Sequence, residues 1–287
     1  MVKELRERSG AGMMDCKKAL EKVDGDLEAA IEYLRKSGIA KAAKKAGRTA
    51  AEGLVLAKQN ETCVCLVEIN CETDFVANDK NFRSFADLVV EKILVEGPEN
   101  LEALKSCGTS EGSIEEVATE LSAKVGEKID LRRFVMIEKK HQIAGIYLHG
   151  NKIGVVALVE SSNETVARNI AMHIAATNPL AISSDDLQED VLEKEREIHR
   201  SQAEETGKPA EIIEKMVSGR MKKFIAENTL LGQSYVKDNE KTVAAYLEET
   251  KSSISKFYRI EVGEGIEKKT VDFAEEVAAQ AQNSGAA

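Results

Sequence analysis

The sequence predicts an α+β protein, and three observations carry that reading. Two stretches in the middle of the chain repeat one plan of strand, turn, strand and helix; charged helical patterns flank them; and no strand-helix-strand unit of the kind that builds a parallel sheet is present. Across 287 residues, 43% apolar and 31% charged side chains with only three prolines describe a folded, helix-rich chain of at least two modest domains.

The elements follow in order. From Met1 to Gly38 apolar residues fall at helical spacing: Met13, Cys16, Leu20 and Val23, then Leu27, Ile31 and Leu34. Gly10, Gly12 and the Asp24-Gly25-Asp26 turn divide the stretch into three short helices that need one another's packing, with Asp26 as N-cap and Gly38 as the residue ending the third. Met13 falls on the core side of that stripe, Met14 and Lys17 outside it. No capping residue precedes the first helix, so its first turn is expected to fray and further residues are expected before Met1. Residues 39–48 are a basic, alanine-rich helical connector, read either as a solvated face or as a contact for acidic groups, in a partner or in this chain.

The duplication comes next. Gly53-Leu-Val-Leu, a turn at Gln59-Asn60-Glu61 and a strand from Cys63 to Ile69 lead into a helix with Phe82, Ala86, Val89 and Ile93 on one face. Gly145-Ile-Tyr-Leu, a turn at Gly150-Asn151 and a strand from Ile153 to Val159 lead into a helix with Val166, Ile170, His173 and Ile174. Between them lie Gly97-Pro98, a helix over Ile114 to Val125 and a strand over Ile129 to Ile137, so each half is expected to be a small antiparallel sheet covered by helices. Beyond Asn178-Pro179, two long charged helices break at Gly207-Lys208-Pro209. Ile213, Val217, Met221 and Phe224 on the second are expected to face Leu187, Val191 and Ile198 on the first, an antiparallel hairpin. A strand from Ile254 to Val262 returns to the second half, and a last amphipathic helix carries Val271, Ala274, Val277 and Ala278.

Chemistry is mostly missing. A net charge of -10 opposes general nucleic-acid binding. Five cysteines without a CxxC pair read as reduced thiols with neither disulfide nor metal. No apolar run is long enough to span a membrane, and the charged start is no signal peptide, so the expected location is cytoplasmic. There is no phosphate-binding GxxxxGK[ST] loop, no GxGxxG after a strand, no HExxH pair and no GxSxG elbow. His173, on an apolar helical face, reads as a hydrogen-bonded core residue. The remaining feature is Asn70-Cys-Glu-Thr-Asp-Phe-Val-Ala-Asn-Asp79, a polar loop with Phe75 and Val76 at its centre. Two readings stand: Thr73 and Asp74 make local backbone bonds while Phe75 folds back into the core, or Phe75 is an aromatic anchor offered to a partner's pocket.

Glu4 to Leu20, Cys71 to Ala77 and Val262 to Lys268 resemble, in that order, three signatures of bacterial elongation factor Ts, and the modules between them are similar to the family plan along nearly the whole chain. The resemblance implies a UBA-like three-helix module with its connector (1–48), a duplicated core (49–138, then 139–180 with 228–263), an inserted dimerisation-type hairpin (181–227) and a C-terminal helical module (264–287). It implies a guanine-nucleotide exchange factor, not an enzyme, that binds elongation factor Tu·GDP in translation elongation, displaces magnesium and GDP, and holds the empty GTPase until GTP binds. No cofactor of its own and no direct nucleotide, nucleic-acid or membrane binding are implied; self-association through the hairpin is. By position, Thr73, Asp74, Phe75 and Val76 resemble the stretch that invades the GTPase beside its magnesium, with Phe75 as wedge. Met13, Met14 and Lys17 resemble N-terminal contacts, Val125 and Gly126 the turn that supports the wedge, and His149 and Val236 further core contacts. A rival reading, an RNA-binding module using residues 35–48, is opposed by the acidic charge and scarce aromatics; a hydrolase is opposed by the missing motifs.

Overall fold

A computed structural model describes residues 1–267 of the chain, the side chains of Ile39, Lys41 and Ala43 excepted. The expected final helix lies outside the described residues. The N-terminal module is α1 (Val2–Ser9), α2 (Met13–Lys22) and α3 (Leu27–Lys45), closed around Leu5, Cys16, Ala19, Leu20 and Ala30. Asp26 caps α3, its Oδ1 accepting the Ala29 N–H at 2.9 Å. The first half of the core contains β1 (Glu52–Gln59), β2 (Cys63–Cys71), α4 (Asp74–Ala77), α5 (Lys80–Glu96), α6 (Leu101–Ser106), β3 (Gly108–Thr109), β4 (Gly112–Ser113), α7 (Ile114–Val125) and β5 (Asp130–Glu138).

Two expectations for the N-terminal module are corrected. Met13 is 61% exposed: as the first residue of α2 it projects past the point where α1 and α3 close over the stripe, so burial begins at Cys16. Nor does α3 end at Gly38. It runs on to Lys45, because at Gly38 it crosses α7, and a Cβ there would sit 3.1 Å from the Ala123 Cβ. The glycine answers a close approach between helices. The basic connector contacts this chain's own acidic helix, the Lys45 Nζ donating to the Ser122 carbonyl at 3.1 Å, and just before it Arg35 pairs with Glu116 and Glu120 of α7, both at 3.3 Å.

The second half comprises β6 (Ile143–His149), β7 (Ile153–Glu160), α8 (Glu164–Thr177), the hairpin helices α9 (Glu189–Glu204) and α10 (Ala210–Asn228), β8 (Ser234–Tyr235), β9 (Asp238–Thr242), α11 (Val243–Glu249) and β10 (Ser253–Glu261). The main sheets run β1-β2-β5 and β6-β7-β10, both antiparallel, so the duplication extends to strand order. Alternation along β2 and β7 buries both faces of each. Cys65, Val67 and Ile69 meet Phe82, Val89 and Ile93 of α5, while Val155, Ala157 and Val159 meet Ile170 and Ile174 of α8. The opposite faces meet each other through Val55, Val64, Leu66, Val156, Leu158 and Ile260. Four layers result, helix, sheet, sheet, helix. The sheets approach so closely at Gly154 that a Cβ would lie 2.4 Å from Val55 Cγ1.

The hairpin has its own cluster of Ala203, Val217 and Met221, with Leu192, Ile213, Met216 and Phe224 around it. Leu192 and Ala203 take the place expected of Val191 and Ile198, and Ile198 is 41% exposed. A 3₁₀ turn at Ser184–Asp186 delays α9 to Glu189 and resets the face it turns inward. Among the described residues no helix is long and apolar enough to cross a membrane.

Candidate functional site

At the C-terminal end of β2 the chain makes one helical turn, α4, and this turn carries the residues singled out from the sequence. Where a loop was expected, Thr73 is an N-cap: it is extended (φ -127°, ψ 157°) and its Oγ1 accepts the Val76 N–H at 3.4 Å. Asp79 caps the next helix, accepting from the Asn81 and Phe82 N–H groups at 2.8 and 3.3 Å. The hydrogen bond from the Asn81 side chain, helped by those backbone donors, holds the Asp79 carboxyl below its ordinary value. With both ends capped, Ala77 turns inward and Val76 is half-buried against the core of the first half. Phe75 turns outward and is 83% exposed, with Asp74 exposed beside it, so the reading in which Phe75 folds into the core is excluded.

A second loop holds this turn in place. Gly126, left-handed at φ 83°, ends α7, and its N–H returns to the Ser122 carbonyl. The chain then presents Glu127. Its Oε2 accepts the N–H of Glu72 and of Thr73, each at 3.0 Å, and its Oε1 accepts the Thr73 hydroxyl at 2.6 Å. Glu72 reciprocates, its Oε1 accepting the Lys128 N–H at 2.7 Å. Val125 is half-buried against the first-half core beneath this junction. Arg48, at the end of the connector, lies 3.4 Å from both Glu72 carboxylate oxygens.

The remaining expected residues divide into two groups. Met13 and Met14 are exposed at the start of α2, with Lys17 one turn on, 3.8 Å from Glu21. The Gly10 turn that leads into α2 rests on the Lys124 side chain, whose Nζ donates to Asn81 Oδ1 at 2.9 Å. The N-terminal module, the end of α7 and the start of α5 therefore adjoin. His149 is exposed at the end of β6, its ring stacked on Tyr147 at 6.3 Å. The next turn crosses to β1, where the Lys152 Nζ meets Glu52 Oε2 at 2.8 Å and the Asn151 carbonyl accepts the Val55 N–H. Glu52 pairs with Cys71, so His149 and Thr73 lie at the same end of the sheets. Val236 is 37% exposed, and its N–H donates to Nδ1 of the buried His173 at 3.3 Å. Its neighbour Lys237 borders a cleft with Tyr147, Arg168 and Asn169.

No group of three or more His, Cys, Asp or Glu among the described residues is arranged to hold a metal. The buried Cys71 thiol, which donates to the Thr73 carbonyl at 3.1 Å, is pushed up to about 12, chiefly by burial and further by the Glu127 carboxylate. A thiol so protonated is a poor nucleophile.

Comparison with known proteins bears on this geometry. The family model described as Elongation factor TS matches residues 72–264, from α4 through β10 with the hairpin included. The elongation factor Ts of Thioalkalivibrio sulfidiphilus is 53% identical over 287 residues, 99% of this chain and 98% of that protein. That of Alkalilimnicola ehrlichii is 52% identical over 286 residues, with 99% and 98% covered. The chain belongs to the elongation factor Ts family. Membership places it among the translation elongation factors.

Sequence reading of this elongation factor Ts chain missed Glu127 and Glu72. Their partners lie 54 to 56 residues away, and one carboxylate after a helix-ending glycine is indistinguishable among 50 acidic residues. It also missed Glu68, fully buried on β2, which meets Arg132 at 2.9 Å and Arg133 at 2.7 Å and accepts the Gly263 N–H at 2.8 Å. That contact ties the Val262-Gly263-Glu264 signature onto the first sheet.

Proposed function

We propose that this chain is a guanine-nucleotide exchange factor for elongation factor Tu and acts by binding, without chemistry of its own. One observation carries the reading: a large apolar ring, Phe75, is held almost wholly in water on a turn capped at both ends. Exposing a phenylalanine forgoes its burial in the folded chain, and a rigid aromatic offered to a pocket loses little freedom when it docks.

A GTPase holds GDP through backbone amides, a lysine and a magnesium ion that depend on one another. Phe75, with Asp74 beside it, enters next to the magnesium and displaces the segment that holds it; the three contacts weaken together and GDP leaves. Thr73 and Val76 shape the wedge, and Val125 and Gly126 support it from below. Met13, Met14, Lys17, His149 and Val236 add contacts at the same end of the molecule and along the cleft beside α8. A thousandfold acceleration requires about 4 kcal/mol of preference for the nucleotide-free state. By linkage, nucleotide weakens the factor's binding as much as the factor weakens nucleotide binding, so incoming GTP expels it. The hairpin, with a separate cluster, is the contact for self-association.

The test is stopped-flow release of a fluorescent GDP analogue from elongation factor Tu over a range of factor concentrations. Release is expected to accelerate to a plateau, with a stable complex isolated only when free nucleotide is removed. An unchanged release rate in the presence of excess factor would refute the proposal.

A further inference from the structure

Building on that exchange reading, we infer that Glu127 is a positioning residue for exchange: its carboxylate holds the Thr73–Val76 turn in the shape that presents Phe75. Four residues of helix cannot hold their own shape in water, because nucleation fixes several backbone dihedrals for a single hydrogen bond. The conformation of α4 must therefore come from what grips it. On its N-terminal side that grip is Glu127. Two consecutive N–H groups, those of Glu72 and Thr73, converge on one carboxylate oxygen, and the Thr73 hydroxyl donates to the other. That last bond does a second job. Thr73 has one hydroxyl proton; given to Glu127, it leaves the oxygen's lone pairs for the Val76 N–H, the bond that caps α4.

The clamp is itself anchored. The Ser122 hydroxyl donates to the Glu127 carbonyl at 2.6 Å, Glu72 grips the Lys128 N–H in return, and α7 is braced along its length by α3. Phe75 thus stands on a turn fixed from a rigid helix end, and none of these groups is needed to bury Phe75 in its own fold. Without the carboxylate the turn samples other shapes, and the affinity for the GTPase falls by the fraction that remains competent.

The experiment uses the full chain carrying Glu127→Ala, Glu127→Gln, Phe75→Ala and the double substitution Phe75→Ala with Glu127→Ala. Thermal unfolding, hydrogen exchange of residues 71–78 and GDP release are measured on each. Glu127→Ala is expected to raise the concentration needed for half-maximal release on the order of tenfold, as for a competent fraction reduced to a tenth, and to speed hydrogen exchange in the segment. Glu127→Gln keeps one acceptor oxygen for the two N–H groups and is expected to recover most of the loss. With Phe75 already absent, Glu127→Ala should slow release little further. Thr73→Val, which removes the hydroxyl end of the clamp together with the oxygen that caps α4, is the second probe if Glu127→Ala does not fold, and should raise the half-maximal concentration several-fold. Parent-like release by whichever of Glu127→Ala and Thr73→Val is folded, or a full independent loss on top of Phe75→Ala, overturns the assignment while leaving the wedge intact. Parent-like release by Phe75→Ala removes the wedge and this assignment together.

Discussion

Replacing Phe75 with alanine separates stability from function, because the position determines which of them suffers. Full burial of a phenylalanine contributes roughly 1.5–3 kcal/mol. Phe75 is 83% exposed, so less than a fifth of that is at stake, about 0.5 kcal/mol, or about 1–2 °C in Tm for a unit of this size. A core phenylalanine such as Phe82, which is fully buried, would by contrast cost about 3–5 kcal/mol when truncated. On the functional side, an aromatic anchor contributes at least about 2 kcal/mol to a complex, which corresponds to about a 30-fold loss in the rate of GDP release. The assay pairs urea unfolding of the isolated variant with stopped-flow release of a fluorescent GDP analogue from elongation factor Tu at several factor concentrations. A variant that unfolds several kcal/mol more easily, or that releases GDP at the parent rate while folded, would refute the reasoning.

Three further outcomes are expected. Replacing Gln188 to Ala226 with a short Gly-Ser linker should leave the core folded and exchange intact while self-association weakens, because the hairpin's cluster is separate and its base is held by backbone bonds such as Leu180 N–H to the Asn228 carbonyl; collapse of the core's melting transition would contradict this. Glu68→Ala should cost about 2–3 kcal/mol, below the usual range for breaking a buried pair because Arg132 and Arg133 stay partly hydrated, and should expose the chain near Gly263 to proteolysis, whereas an unaltered cleavage pattern would count against the anchoring role. His173 is buried as the neutral tautomer, Nδ1 accepting from Val236 and Nε2 facing Gln233 Oε1 at 3.0 Å, and burial holds it below its ordinary value of 6.5. The unfolded chain therefore binds that proton first, and stability present above pH 6.5 should be lost as pH falls below it; a His173→Gln variant should flatten the fall in Tm between pH 7.5 and 5.5, and an unchanged slope would assign it elsewhere.

Much of the fold was legible because local and global signals agree. Strand-length, mostly apolar runs mark β2 and β7, helical stripes mark α5 and α8, and the repeated order of these elements points to two like sheets, which pack face to face. The departures have two causes. Met13 lies on the stripe of α2 but one residue before its neighbours close over it, Gly38 looks like a stop but serves a helix crossing, and the inward face of α9 is set by a 3₁₀ turn that spacing does not register. The first two depend on what lies opposite, which a single strand of sequence does not state, whereas the third is a local turn closed by Ser183 and Asp186.

The candidate site divides along the same line. By itself the sequence determined which residues stand out, Thr73 to Val76 among them, because a motif is carried by neighbours in the chain. It left open whether Phe75 packs inward or stands in water, since either face of a short capped turn accepts an aromatic side chain. Only the tertiary structure decided that: Phe75 stands 83% exposed, and a carboxylate 54 residues away bonds to the turn that carries it. A hydrogen bond between distant segments depends on a distance that exists only once the two sheets and α7 have packed, so no local pattern encodes it.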